Sequence, residues 1–532
     1  MNRFLDRTNK RVSLGGAATL LIVVMLVGQA LGFLRNRFIS TNFTVHDPGS
    51  SDAFFAAFQI PDFFFYTIAA GALGVAFMPI LADRLHSGDR KGMWQIASSL
   101  LNILAIAMAI VGVIIFVFAS QLISILTPDL PKDHFDQAVN IMRLIAFNPL
   151  LFTLSGIVTS IQQTFGRFFF FAIAPLFYNL AIIASIFIFK DNLGIVGLGV
   201  GALIGGVVQL GVAWLGLIGL KFQYRPEIHW HNIGFRSVLR QLPARSLDQG
   251  VDQLNGMVEI NRAQALGTGP VSYYSYALTL MNVPVMLIGS SIATAAFPRL
   301  IERLAQKRSD LFRKDFLRIL RAMIWMTVPV IIVAFFCRGY LARVIYGDAA
   351  PEVALIFGFL TVAIIFRIMY AMISRYFYAY KDTKTPLAVS LVAITLNIVL
   401  AFWLARPQSQ GGYGVAGLAI AQSVVAAVEV MLLTGIMLWR DHRIFHDIEF
   451  WGGLMRIIGV AGFCLMAGFV MLQLYPLGID DRGLITIGSK IFVIAFVVFS
   501  VHLVISSLFG LREASAVFER LKKFVVKPVR IQ

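Results

Sequence analysis

The sequence predicts an all-α integral membrane protein of about fourteen transmembrane helices, built as two parallel six-helix repeats followed by two extra C-terminal helices. Three observations predict this fold: the composition, the length of the apolar segments, and a residue pattern that returns after 220 positions. Of the 532 residues, 58% are hydrophobic and 14% are charged. This composition supplies too few polar residues to cover the surface of a soluble protein. The net charge of +17 comes from short Lys and Arg clusters between apolar segments, so it does not indicate a nucleic-acid-binding surface.

The apolar segments are long enough to span a membrane. A helix that rises about 1.5 Å per residue needs about 20 residues to cross about 30 Å of hydrocarbon. The fourteen predicted helices lie near residues 14–38, 52–82, 93–119, 136–164, 168–189, 194–220, 237–265, 270–298, 318–337, 353–379, 386–405, 413–439, 452–474 and 485–508. Pro61, Pro149 and Pro284 interrupt backbone hydrogen bonding in predicted helices two, four and eight, where we expect kinks or hinges. The aromatic run from Phe168 to Phe171 is typical of a belt at the membrane interface.

The distribution of Lys and Arg predicts the orientation. With the N-terminus inside, the inside loops and tails carry 31 of these residues and the outside loops carry seven. Because positive residues accumulate on the cytoplasmic side, both termini are predicted to be cytoplasmic. The basic segment from Arg520 to Arg530 is suited to contact anionic membrane lipids.

An internal repeat divides the chain. The run from Leu193 to Val200 resembles the run from Tyr413 to Ile420, and Ala76-Phe77 resembles Ala296-Phe297, each at an offset of 220. An even number of helices per repeat inserts both copies in the same sense, as in transporters with parallel repeats. We therefore predict an N-lobe at residues 1–221, a C-lobe at 222–440, and helices thirteen and fourteen with a basic cytoplasmic tail at 441–532.

Ionisable residues inside the membrane concentrate in a few helices. Helices one and two contain Gln29, Arg35, Asp52 and Asp62, and helix seven contains Arg245, Asp248, Asp252, Glu259 and Arg262. A charge that faces lipid is costly, so we expect these side chains to line a cavity between helices one, two, seven and eight. Arg35, Asp52 and Arg245 also lie near predicted helix ends, where long side chains reach the headgroups. Asp248 or Asp252 could simply pair with Arg245.

The sequence contains no enzyme signature. It has no phosphate-binding P-loop, no Gly-x-Ser-x-Gly motif and no His-Glu-x-x-His motif, and we expect no cofactor and no metal centre. The His229-x-His231 pair lacks further ligands, and Cys337 and Cys464 lie far apart in apolar segments. A secondary transporter needs none of these motifs.

The chain resembles the MurJ (MviN) family of lipid II flippases, which belongs to the MOP exporter superfamily together with MATE transporters. The resemblance covers about residues 14–440, in order. The matching motifs are Leu31-Gly32-Phe33-Leu34-Arg35, Ser51 to Phe58 with Ile60-Pro61, Gly71-Ala72, Ala76 to Leu81, Ala174-Pro175 with Asn179, Arg245 with Gln253-Leu254-Asn255, Tyr276-Ala277, Ala293 to Leu300, and Arg375 to Ala379 with Asp382 to Pro386.

This resemblance implies a bacterial inner-membrane flippase that works by alternating access and moves a polyprenyl-pyrophosphate-linked peptidoglycan precursor outward. It implies a cationic central cavity, and guanidinium groups bind pyrophosphate in a bidentate manner. The chain departs from the family pattern at Gln29 and Thr279, where the family usually has arginine. The substrate-binding residues implied or expected are Arg35, Asp52, Gln29, Asp62, Arg245, Asn255, Arg262 and Thr279.

Carboxylates could couple transport to a cation. Asp248, Asp252 and Asp382 offer oxygen ligands of the kind that hard cations such as Na+ prefer. The candidate driving forces are therefore Na+ or the membrane potential. The expected partners are the lipid-linked precursor, membrane lipids and cell-wall synthesis proteins, with no nucleic acid.

Three other functions remain open from the sequence. The chain could be a MOP-type exporter of another lipid-linked oligosaccharide or of an amphipathic cation. It could be a non-transporting scaffold that recruits cell-wall enzymes through the basic loop at 299–321. An intramembrane lipid-modifying enzyme is disfavoured, because no acid, base or metal set is clustered in the sequence.

Overall fold

The computed structural model describes residues 14–43, 51–70, 77–478 and 481–515, and within these ranges the chain forms helices and connecting turns without a β-strand. By internal packing the chain divides into two compact units, unit one at Met1–Ser272 and unit two at Tyr273–Gln532. This division follows packing density and not the repeat, so the lobe boundaries given above stay predictions.

Unit one contains nine helices in the part of the chain that the structure describes. They are α1 (Leu14–Asn42), α2 (Ser51–Phe64) with a π-helical segment (Phe65–Ala70), α3 (Met78–His86), α4 (Arg90–Leu126), α5 (Lys132–Ile145), α6 (Asn148–Thr164), α7 (Phe169–Leu193), α8 (Val196–Leu215) and α9 (Ile233–Gln264). The predicted break at Pro149 is confirmed, because predicted helix four is divided into α5 and α6 at residues 146 and 147.

Helix α10 (Pro270–Pro284) begins at the end of unit one and continues into unit two. The remaining helices are a second π-helical segment (Val285–Ser290), α11 (Ser291–Ala305), α12 (Ser309–Phe336), α13 (Arg338–Tyr346), α14 (Ala350–Ala379), α15 (Lys384–Leu404), α16 (Ala416–Arg440), α17 (Ile448–Leu474) and α18 (Leu484–Leu508). The short helix α13 lies in a predicted outside loop and was not expected, because its nine residues are too few to span a bilayer.

Eleven helical segments within the described ranges are long and apolar enough to cross a membrane, so the chain is a multi-pass membrane protein. The predicted spans near 14–38 and 237–265, and the described parts of the span near 52–82, are helical but are not among the eleven. Helix α9 covers the last of these spans and has too many charged residues to be counted among the eleven. Its charged residues are Arg245, Asp248, Asp252, Glu259 and Arg262.

The two π-helical segments repeat at the offset of the sequence repeat. The first residues of the two segments, Phe65 and Val285, lie 220 positions apart, and each segment follows a proline, Pro61 or Pro284. A proline cannot donate a backbone hydrogen bond and crowds the preceding turn, which favours irregular helical geometry nearby. Short π-helical stretches are rare and frequently occur at functional sites. The predicted interruptions in helices two and eight are therefore confirmed, whereas their role as hinges stays a prediction.

Small residues bring α7 and α8 close together. A Cβ atom at Gly201 would lie 2.2 Å from the Ser185 hydroxyl oxygen, and one at Gly205 would lie 2.9 Å from the Tyr178 ring. Gly197, one turn earlier on α8, has the same relationship to the Phe189 side chain at 2.6 Å. Close packing over such a small-residue stripe is a common way to associate helices in membranes. It fixes α7, and with it the side chain of Tyr178.

Unit two anchors its last two helices to α12. The Trp325 indole N–H donates to the Ser506 hydroxyl at 2.9 Å. The Arg321 guanidinium contacts the Glu513 carboxylate at 2.6 Å, and both side chains are less than one-tenth exposed. The Arg321 guanidinium also donates to the Glu449 carbonyl oxygen of α17 at 3.0 Å. These contacts join α17 and α18, which lie outside the predicted duplication, to α12.

Candidate functional site

Unit one encloses a cavity of about 450 Å³ that opens between α1, α2, the first π-helical segment, α6, α7 and α8. Its volume is within the range of about 300–1,000 Å³ that is usual for small-molecule sites. Its lining consists of Arg35, Phe54, Phe55, Phe58, Gln59, Asp62, Phe65, Tyr66, Phe152, Ser155, Gly156, Thr159, Phe171, Ala174, Pro175, Tyr178 and Gln209. Aromatic rings and polar groups therefore line the same cavity.

Arg35 is held in a defined orientation at the cavity wall. One terminal nitrogen of its guanidinium donates to the Asn179 side-chain oxygen at 3.0 Å. The Nε atom and the other terminal nitrogen donate to the Asn36 side-chain oxygen at 3.3 and 3.1 Å. Asn36 is 1% exposed, so this arrangement is anchored in the protein interior. A guanidinium oriented in this way places its positive charge where an anionic or polar ligand could contact it.

Asp62 supplies a carboxyl group to the same cavity. It follows Pro61 on α2, one turn before the π-helical segment. Within the described part of the chain, the Asp62 carboxylate has no hydrogen-bond donor and no cation within 4 Å. The cavity therefore combines one guanidinium with one carboxylate that are not joined as an ion pair.

Aromatic side chains form much of the wall. The Phe152 ring packs edge-on against Phe65, with centroids 5.7 Å apart, and against Tyr178, with centroids 5.1 Å apart. The rings of Phe54 and Phe58, both on α2, pack with their centroids 4.6 Å apart. Such tilted contacts hold the rings in fixed orientations and leave their other faces available to a ligand.

Of the predicted site residues, Arg35 and Asp62 line this cavity, and Gln29 and Asp52 do not. Asp52 is fully buried, and its carboxylate accepts hydrogen bonds from the backbone N–H groups of Gly269 and Ser272 and from the Ser272 hydroxyl. These donors lie just before and within the first turn of α10. A carboxylate placed there satisfies unpaired helix N–H groups and offsets the positive end of the helix dipole.

Three predicted residues on α9 and α10, namely Asn255, Arg262 and Thr279, do not line the cavity. The Asn255 side-chain amide donates to the Glu259 carboxylate at 3.0 Å, one turn further along α9, and Arg262 is partly buried. The side chains of Arg245, Asp248 and Asp252 lie outside the described residues. In unit two, the Thr279 hydroxyl donates to the Ser275 carbonyl oxygen at 2.9 Å on its own helix.

Asp382 lies in the turn between α14 and α15. It accepts hydrogen bonds from the Thr385 hydroxyl, from the backbone N–H groups of Lys384 and Thr385, and from Arg440. Burial alone would raise the pKa of Asp382, but the Thr385 and Arg440 donors outweigh it and lower the pKa to about 2. The carboxylate is therefore ionised at neutral pH, and its oxygens already accept hydrogen bonds from neighbouring protein groups.

A second polar network lies inside unit two. The Glu429 carboxylate is 3.7 Å from the Arg367 guanidinium and accepts a hydrogen bond of 2.8 Å from the Ser390 hydroxyl. Arg367 also donates to the Gln422 side-chain oxygen at 2.9 Å. The network joins α14, α15 and α16. Within the described ranges, no three His, Cys, Asp or Glu side chains are grouped as a metal site requires.

Sequence reasoning missed most of the cavity wall. Phe152, Thr159 and Gln209 belong to apolar helices without a motif, and Phe171 was assigned to an interfacial belt. Phe171 instead lines the cavity. One signal could have indicated Gln209, because it is a lone amide in the glycine-rich helix α8.

Comparison with known proteins identifies the family. The family model described as "Lipid II flippase MurJ" matches residues 48–477. The probable lipid II flippase MurJ of Buchnera aphidicola is 26% identical over 431 residues, which cover 77% of this chain and 81% of that protein. The probable lipid II flippase MurJ of Rhizobium tropici is 22% identical, and the match covers 97% of this chain and 96% of that protein.

Solved structures show the same fold. A lipid II flippase MurJ in an inward closed conformation superposes with a TM-score of 0.75 at 21% identity, covering 92% of this chain and 98% of that one. An inward-facing multidrug resistance MATE transporter of the MOP superfamily gives a TM-score of 0.60 at 17% identity, covering 80% and 98%. Since the family model spans most of the sequence, the chain belongs to the MurJ family of lipid II flippases, which are membrane transporters and not enzymes.

Proposed function

We propose that this chain moves lipid II, the polyprenyl-pyrophosphate-linked peptidoglycan precursor, from the inner to the outer leaflet by alternating access. The observation that carries the proposal is the family match over residues 48–477. Peptidoglycan synthesis is the process that uses lipid II. In the part of the chain that the structure describes, no observation favours the scaffold, the enzyme or the cation exporter.

In this function Arg35 supplies positive charge to the pyrophosphate. Its guanidinium is oriented by Asn179 and Asn36 and faces the cavity, which supports a bidentate contact to phosphate oxygens. The other members of the proposed substrate-binding set are Asp52, Gln29, Asp62, Arg245, Asn255, Arg262 and Thr279. Asp248, Asp252 and Asp382 are the proposed carboxylates for cation coupling, and Na+ or the membrane potential is the proposed driving force.

The protein is proposed to lie in the bacterial inner membrane with both termini in the cytoplasm. The 31 to seven distribution of Lys and Arg between inside and outside segments supports this orientation. The basic segment from Arg520 to Arg530, which lies outside the described residues, is proposed to contact anionic lipids. Cell-wall synthesis proteins are the proposed protein partners.

Complementation tests the function directly. A bacterium depleted of its own lipid II flippase should grow when it expresses this chain, and lipid II on the outer leaflet should become accessible to an externally added degrading enzyme. Arg35→Ala should abolish both effects while the protein still accumulates in the membrane. If the wild-type chain accumulates but lipid II stays on the inner leaflet, the proposed function is wrong.

A further inference from the structure

A small pocket lies in unit two between α12 and the start of α17. Its lining consists of Lys314, Leu317, Arg318, Arg321, Asp447, Glu449 and Phe450. The four residues from α12 are three or four positions apart, or adjacent to one that is, so they lie on one face of that helix. The pocket therefore combines cations from one helix with carboxylates from another, and none of these residues belongs to the proposed substrate-binding set.

The pocket lies at the level of the lipid headgroups. Exposed apolar side chains on α17 extend from Met455 to Leu474, a span of about 29 Å at about 1.5 Å per residue. This length is close to the hydrocarbon thickness of a bilayer, about 30 Å. Trp451, exposed one turn before Met455, is a residue type that is enriched at the membrane interface. Asp447 and Glu449 precede Trp451, so the pocket lies just outside the hydrocarbon.

Lys314 and Arg318 supply positive charge that the protein itself does not neutralise. Both side chains are exposed, and within the described ranges neither forms an ion pair or a hydrogen bond. They lie one helical turn apart on α12. Two cations at this spacing can contact the same phosphate group through charge-assisted hydrogen bonds.

Asp447 supplies a carboxylate to the other side of the pocket. One of its oxygens accepts hydrogen bonds from the backbone N–H groups of Glu449 and Phe450, at 2.9 and 3.4 Å, and so caps α17. The other oxygen has no donor among the described residues. The remaining charged groups are already paired, Arg321 with the Glu513 carboxylate at 2.6 Å and Glu449 with Arg512 at 2.7 Å. Asp447 can therefore accept a hydrogen bond from a cationic ligand.

The size of the pocket limits which cation can enter it. Its volume is about 20 Å³, and a single water molecule needs at least about 10–15 Å³. A primary ammonium group is similar in size to a water molecule and has three N–H donors. A trimethylammonium group is much larger and has no N–H donor. The pocket therefore fits a primary ammonium and excludes the trimethylated group.

From these observations we propose that the pocket between α12 and α17 binds a lipid headgroup that carries one phosphate and one primary ammonium, as in phosphatidylethanolamine. The ammonium enters the pocket and donates to the second carboxylate oxygen of Asp447. The phosphate stays at the rim, where Lys314 and Arg318 contact it. In the proposed orientation this lipid belongs to the cytoplasmic leaflet. The site is independent of the substrate that the protein transports.

Competition among lipids with identical acyl chains tests the proposal. The purified full-length protein in detergent is mixed with equal amounts of dioleoyl phosphatidylethanolamine, phosphatidylcholine and phosphatidylglycerol, and native mass spectrometry measures which lipid is retained. Phosphatidylethanolamine should be retained about tenfold more than either of the others, the effect expected for one charge-assisted hydrogen bond. Equal retention of the three lipids, or a preference for phosphatidylglycerol, overturns the proposal.

Two variants locate the site. Asp447→Asn removes the charge, but asparagine still caps the helix, so the preference for phosphatidylethanolamine should fall to about twofold or less. Arg318→Gln should lower the retention of phosphatidylethanolamine by about fivefold, because one phosphate contact is lost. Arg308→Gln is the matched control, since Arg308 is exposed at the start of the same helix and does not line the pocket. It should behave like the wild type.

Thermal unfolding of each variant accompanies the binding measurement. Asp447→Asn and Arg318→Gln should unfold at the wild-type temperature, so that a change in lipid retention reports on the pocket. An unchanged preference in Asp447→Asn overturns the proposal, and so does an equal loss in Arg318→Gln and Arg308→Gln.

Discussion

The Asp52 carboxylate accepts a hydrogen bond of 2.8 Å from the backbone N–H of Ser272, and these two residues lie 220 positions apart, the offset of the internal repeat. Ser51 and Ser272 are also in contact, through their hydroxyl groups at 2.8 Å. Equivalent positions of the two repeats thus touch at the first turns of α2 and α10. The family resemblance assigns Asp52 to substrate binding, whereas its hydrogen bonds indicate that it holds the start of α10 in place.

Replacement of Asp52 distinguishes these two roles. Asp52→Asn removes the charge and one acceptor from a fully buried site, so we expect the free energy of unfolding to fall by about 2–4 kcal/mol. Ser272→Ala should cost about 1 kcal/mol, because one hydroxyl donor is lost. Thermal unfolding in detergent measures both changes. If Asp52→Asn unfolds like the wild type but no longer flips lipid II, the carboxylate acts on substrate and the anchoring role is wrong.

Asn179 should affect lipid II flipping through its hydrogen bond with Arg35. Asn179→Leu keeps the side-chain size but removes the oxygen that accepts from the guanidinium at 3.0 Å. We expect the rate of lipid II flipping to fall by about tenfold, the equivalent of roughly 1.4 kcal/mol, with little change in thermal stability. Asn192→Leu is the control, since Asn192 is exposed near the end of the same helix. Equal losses in the two variants would show that the effect is not specific to Arg35.

The contribution of Asp382 to the stability of the fold should depend on pH. Its folded-state pKa of about 2 is below the reference value of 3.8, so ionised Asp382 stabilises the fold above the reference value. That stabilisation declines as the pH falls from about 4 to about 2. The difference in thermal stability between wild type and Asp382→Asn should therefore be full at pH 7 and disappear near pH 2. Asp191→Asn, at an exposed position on α7, should show no such difference. A difference that grows on acidification contradicts the assignment.

The sequence predicted the features that depend on local pattern. Apolar length predicted the long helices, and the 220-residue offset is repeated by the π-helical segments after Pro61 and Pro284. Contacts between distant residues were not predictable in this way. The Asp52 partners lie 217 and 220 residues away, and the orientation of Phe171 into the cavity depends on how α7 packs. For Arg35, sequence indicated a functional charge, but its orientation by Asn179 appears only in the fold.

Among the glycines of α8 that pack against α7, namely Gly197, Gly201 and Gly205, Gly201 should tolerate no side chain. A Cβ atom there would lie 2.2 Å from the Ser185 hydroxyl oxygen and 3.1 Å from the Ala181 carbonyl oxygen, so α7 must move away. We expect Gly201→Ala to lower the free energy of unfolding by about 1–3 kcal/mol. Gly211→Ala is the matched control on the same helix, because nothing lies within 4 Å of its Cβ position, and it should stabilise the helix by up to about 1 kcal/mol. Since Tyr178 lies on α7 and lines the cavity, Gly201→Ala should also lower the rate of lipid II flipping. Thermal unfolding and lipid II flipping of both variants measure these effects. Equal stability of the two variants would mean that α7 and α8 do not pack through these glycines.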